Sequence, residues 1–131
     1  MQHLTPAIGR LLLATIFVLS GLHKIATPEA TIAAIETVGL PFPGVGMVVA
    51  IAVTLGGGLM LAVGFRTRTA AASLAIFTLV AGFLFHGATD DPNQMIHLLK
   101  NLALTGGLLQ VLAFGAGAWS IDRRLARARA A

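Results

Sequence analysis

The sequence predicts an all-α membrane protein, a four-transmembrane-helix bundle with a short interfacial helix between spans one and two. Composition is the first reason: 56% of the 131 residues are hydrophobic, 11% are charged, and the mean hydropathy is +0.87. Nine Lys or Arg and five acids are too few to cover a soluble domain of this length. Spacing is the second, since the apolar residues gather into four runs, each near the ~20 residues that cross a hydrocarbon core. The third is punctuation, because charge, Gly and Pro concentrate between those runs. The four runs use almost the whole chain, so residues 1–131 are expected to form one domain. The chain has no Cys, which excludes disulfides, Fe–S clusters and thiolate metal sites.

The first span, 7–25, begins after Pro6, which suits a helix start, and closes at His23, Lys24 and Pro28. Arg10 ahead of an apolar core has the outline of a secretory signal. Ser20-Gly21-Leu22-His23-Lys24 offers no small-x-small cleavage pattern, so an uncleaved anchor is expected. Residues 27–38 set Glu29 and Glu36 among Ala and Ile, the pattern of an interfacial helix, and Gly39-Leu40-Pro41-Phe42-Pro43-Gly44 makes a rigid turn after it. The second span, 44–65, contains Gly56-Gly57-Gly58, a surface for close helix approach and not a cofactor loop. Arg66-Thr67-Arg68 is too short for anything but an antiparallel hairpin into span three, 70–86. Asp90-Asp91-Pro92-Asn93 is a turn and capping cluster ahead of span four, 95–117, which fades at Gly115 and Gly117 before a basic tail, 119–131.

Charge sets the orientation. Arg10, Arg66, Arg68, Arg123, Arg124, Arg127 and Arg129 fall on one side, while Lys24 and Lys100 lie towards the other with Glu29, Glu36, Asp90 and Asp91. Positive residues are retained in the cytoplasm, so both termini are expected there. The Arg-rich tail is expected to touch anionic lipid, at about 1 kcal/mol per basic residue, and not nucleic acid.

The polar residues of the spans then converge on the outer leaflet. Lys100 and Asn101 stand inside an apolar stretch with His97 one turn earlier, and a Lys at mid-bilayer costs about 2.5–3.5 kcal/mol, so it snorkels, pairs or works. Asn93, His97, Lys100, Asn101 and Leu104 share one helix face. His23, Lys24 and His86 end their spans at the same level, the first two with interfacial anchoring as their simplest role. Glu36, Asp90 or an anionic ligand could supply the counter-charge to Lys100. The ligand-binding candidates are His97, Lys100, Asn101, His86, His23 and Lys24. A metal or haem site from His23, His86 and His97 is an alternative, although no carboxylate pattern accompanies it. No nucleophile triad or catalytic carboxylate pair is present, so no self-contained active site is recognised.

These residues resemble the DoxX-like (DoxX/DoxD) integral membrane proteins. The likeness rests on Arg10-Leu11-Leu12-Leu13-Ala14 leading to Ser20-Gly21-Leu22-His23-Lys24, on Gly39-Leu40-Pro41, on Gly56-Gly57-Gly58-Leu59 through Gly64-Phe65-Arg66-Thr67-Arg68, and on His97-Leu98-Leu99-Lys100-Asn101-Leu102-Ala103-Leu104. It implies a four-helix protein of the bacterial inner membrane associated with redox or oxidative-stress systems. Many relatives carry a Glu shortly before the glycine run of span two, where this chain has Thr54 and its neighbours.

Three functions are compatible with this reading. One is an accessory or quinone-interacting subunit of a membrane oxidoreductase or oxidative-stress system, with His86, His97 and Lys100 as donors to a quinone carbonyl. The second is a non-catalytic scaffold that binds other membrane or redox subunits, or copies of itself, through the glycine-rich span and the basic tail. The third is the histidine metal or haem site.

Overall fold

A computed structural model of the chain describes residues 4–87 and 90–130, in which every regular element is a helix. Helix α1 spans Thr5–Ala26 and α2 spans Pro28–Thr37. Helix α3, Pro43–Ile51, runs through a π-helical turn, Ala52–Gly56, into α4, Gly57–Val63. Helices α5, Thr67–His86, and α6, Pro92–Phe114, follow, and α7 is Ile121–Arg129. Helix α1, the composite Pro43–Val63, α5 and α6 are long and apolar enough to cross a membrane. These are the four expected spans, with α2 where the interfacial helix was expected.

Proline opens α1, α2, α3 and α6, where its missing N–H leaves no intrahelical bond unmade. At α6 the expected capping cluster forms, with Asp91 Oδ1 accepting the N–H of Asn93 at 2.9 Å. The tail departs from expectation. Span four stops at Phe114 because Gly115 and Gly117 take φ of 80° and 78°, and the chain turns instead of continuing the helix. What was expected as a plain basic tail is the helix α7, capped by Ser120, whose Oγ accepts the N–H of Arg123.

The core is built from small residues and a few large ones: Ala14 and Phe17 of α1, Leu61 of α4, Ala71, Leu74 and Ala75 of α5, and Leu108 of α6. Glycine sets how closely the helices approach. A Cβ on Gly21 would lie 2.6 Å from Leu55 Cβ and 2.9 Å from its backbone nitrogen, so α1 crosses the π-turn backbone to backbone. Gly58 fits against Phe17 and Val18, and Gly57 against Leu74. The extra residue in the widened turn re-phases the helix. Thr54 is buried there, its hydroxyl donating to the Ala50 carbonyl at 2.6 Å.

Candidate functional site

The two ends of the bundle differ in chemistry. At the end where α1 begins and α7 lies, Arg10 is only 3% exposed. Its Nη1 donates to the Ala116 carbonyl at 2.7 Å and its Nη2 to the Trp119 carbonyl at 2.9 Å. Asp122 answers from α7: its carboxylate accepts the N–H groups of Arg66 at 2.7 Å and Thr67 at 2.9 Å, and its own N–H donates to the Gly64 carbonyl at 2.9 Å. Gly64 has φ of 71°, and a Cβ there would meet Ser120 Cβ at 2.5 Å and run into the Arg10 guanidinium. Arg66, at φ 43°, is held in the left-handed region beside it. Burial alone raises the Asp122 carboxyl, but the bonds from Thr67 and Arg66 and the charge of Arg10 outweigh it, so it lies below the ordinary carboxylate value. This arrangement fastens α1, the α4–α5 turn and α7 together. Its hydrogen bonds are turned inward, and it offers a ligand little.

The opposite half of the bundle holds a half-open cavity of about 850 Å³ between α1, α2, the α3–α4 segment, α5 and α6. Its walls are mainly apolar, among them Phe17, Ile35, Val49, Phe77 and Leu104. Polar groups enter at a few points: Ser20, His23 and Lys24 from α1, Thr54 from the π-turn, Thr78 from α5, and Lys100 and Asn101 from α6. Lys24 is half-buried, its Nζ donating to Ser20 Oγ at 2.5 Å and to the Ser20 carbonyl at 3.3 Å. Lys100 is exposed at the rim, its Nζ 3.3 Å from His97 Nδ1. Asn101 is half-buried and packs on Gly82. Thr78 is buried, and its hydroxyl has no hydrogen-bond partner among the described residues.

Four of the six sequence candidates, His23, Lys24, Lys100 and Asn101, therefore line one cavity. The other two stand beside it. The rings of His86 and His97 stack with centroids 5.1 Å apart, and His86 Nδ1 is hydrogen-bonded to Gln94 Oε1. Among the described residues no three His, Asp or Glu side chains converge to hold a metal ion, so His23 does not join that pair. Neither Glu36 nor Asp90 supplies a counter-charge to Lys100: the partners of the two ammonium groups are Ser20 and His97. Sequence reasoning missed Ser20, Thr54 and Thr78 as lining groups, since single hydroxyl residues in apolar runs look like ordinary small packing residues. It also missed the inward role of Arg10, although an Arg well inside an apolar run and a lone acid among the arginines of 119–131 were both visible.

The family model described as DoxX matches residues 5–87. Inner membrane protein YqjF of Escherichia coli strain K12 is 37% identical over 118 residues, covering 90% of this chain and 89% of that protein. Inner membrane protein YphA of the same strain is 30% identical over 123 residues, covering 89% of this chain and 87% of its own length. No solved structure matches the chain.

Proposed function

The chain belongs to the DoxX family and is an inner membrane protein, and on that premise we propose that its cavity binds an isoprenoid quinone, making it an accessory subunit of a quinone-linked membrane oxidoreductase or oxidative-stress system. One observation carries the reading: two ammonium groups, Lys24 and Lys100, enter a mainly apolar cavity and have no carboxylate partner among the described residues. About 850 Å³ lies within the range of small-molecule sites. A quinone ring presents two carbonyl acceptors and an apolar tail, which matches a few donors set in hydrocarbon walls. In this proposal Lys24 and Lys100 donate to the carbonyl oxygens, Asn101 orients the ring, and the unpartnered Thr78 hydroxyl gains an acceptor. When bound, the quinone supplies the electron-carrying chemistry.

The test is solvent extraction of protein purified in mild detergent, followed by binding of a short-chain ubiquinone analogue. About one quinone per chain is expected. Lys24→Met and Lys100→Met should each weaken analogue binding roughly tenfold, because each deletes a charge-assisted hydrogen bond of about 1.5 kcal/mol. Empty extracts with no saturable binding overturn the proposal.

A scaffold reading is favoured by a different observation. The apolar stretch of Pro92–Phe114 is 11% buried, against 33% for that of Thr67–His86, so α6 is the span most open to a partner. The glycine run is not available for that purpose at Gly57 and Gly58, which are packed inside the bundle.

A further inference from the structure

A second, open concavity, of about 410 Å³, lies at the other end of the molecule, lined by Ala118, Trp119, Arg123, Arg124 and Arg127. Arg123 and Arg127 sit one turn apart on α7, and Arg124 adjoins them. All three are exposed, and none of their guanidinium groups has a partner among the described residues. The acid of α7, Asp122, is turned onto the bundle, where Arg66 and Thr67 occupy its oxygens, and leaves the three positive charges uncompensated.

This is not a loose basic tail. Asp122 holds α7 to the α4–α5 turn, Arg10 holds the Ala116–Trp119 segment from inside the bundle, and Ser120 caps the helix. The backbone of α7, from which the three arginines extend, is thereby held against the end of span four. Phe114, 80% exposed, closes that span, and Trp119, 63% exposed, follows it, so apolar surface borders the charges on the membrane side. Trp favours the headgroup level, where one edge is wet and the ring is apolar. Planar guanidinium forks match phosphate oxygens in pairs.

We infer that Trp119, Arg123, Arg124 and Arg127 form a binding site for the phosphate headgroup of an anionic phospholipid. The phosphodiester lies among the three guanidinium groups, the glycerol against the Trp119 ring, and the acyl chains run beside Phe114 along α6. An anionic phospholipid is the occupant because the charged concavity is continuous with lipid-facing apolar surface, which a soluble anion would leave unused. The inference is independent of the quinone proposal, which concerns the opposite end of the bundle.

Trp119 is the chain's only tryptophan and reports on the site directly. The full chain in phosphatidylcholine nanodiscs is titrated with brominated-chain phosphatidylglycerol, and quenching of Trp119 emission is compared with that by brominated phosphatidylcholine. Saturable quenching at low mole fraction is expected for phosphatidylglycerol alone. Arg123→Gln with Arg127→Gln should weaken it roughly 25-fold, about fivefold per charge, while Arg129→Gln, outside the concavity, should not. Unchanged far-UV helicity establishes that the variants are folded. Equal quenching by the two lipids, or an equal effect of Arg129→Gln, reduces the site to diffuse surface charge and overturns the inference. Displacement of the lipid by millimolar inorganic phosphate in dilute salt assigns the site to a free anion and overturns it as well.

Discussion

Asp122 holds two backbone N–H groups that the sharp α4–α5 turn leaves without helical partners, and one of them belongs to Arg66 in a left-handed conformation. Its carboxyl titrates below the ordinary value of 3.8. A carboxyl with a lowered pKa in the folded protein stabilises the fold fully above its unfolded value and loses that contribution as pH falls through the folded one. Asp122→Asn should therefore lower the thermal midpoint at neutral pH, by a free energy of about 1 kcal/mol once the partial exposure of the group is allowed for. As pH falls through the lowered pKa of the folded carboxyl, the gap between the two proteins should close. Thermal unfolding in detergent at several pH values checks this; a constant gap between the curves would contradict it. Little of this contact was legible beforehand. Arg10 and Ala116 are 106 positions apart, and nothing local to either distinguishes an Arg that anchors a span at the interface from one that donates inward. Lys100 was legible because its anomaly is local: a cation inside an apolar run announces itself without knowledge of its neighbours.

Among the elements, the composite span α3–α4 shows how far local pattern reaches. Three consecutive glycines predict close packing, and Gly57 and Gly58 are indeed buried against Leu74, Phe17 and Val18. The pattern does not distinguish them from Gly56, whose Cβ position is open, because the π-turn alters the helical phase just where the triplet begins. The consequence is a graded series within three residues. Gly58→Ala should destabilise by about 1–3 kcal/mol, since the new methyl lies 3.1 Å from the Val18 backbone nitrogen and the Phe17 Cβ. Gly56→Ala should be neutral or stabilising by up to about 1 kcal/mol, through the helix preference of Ala. Comparison of the two thermal midpoints in one detergent decides the matter, and equal loss in both would mean that the triplet acts only through backbone flexibility. Helix α7 was hidden for a related reason: the residues 119–131 are too charged to look like a packing element, and their helix depends on the Ser120 cap and Asp122 contacts made across the fold.

For the whole molecule, the four-span architecture was legible because bilayer thickness dictates segment length, whereas the cavity was not, because its walls come from five separate elements and α2 closes one side of it. The same architecture separates two chemistries along the bundle axis. Arginines, the inward-turned Asp122, the start of α1 and helix α7 lie at one face, and the lysine-lined cavity opens towards the other. The positive-inside bias predicts that the arginine face lies in the cytoplasm, and on that expectation the cavity receives its ligand from the outer half of the bilayer. The chain contains no cysteine, and single cysteines can therefore report orientation without background. Thr37→Cys lies at the exposed end of α2 and Ala130→Cys just beyond α7. In intact spheroplasts, a membrane-impermeant maleimide should label the first and not the second, and permeabilisation should make the second reactive. The reverse pattern would turn the lysines towards the cytoplasm and oblige any ligand of the cavity to enter from the inner leaflet.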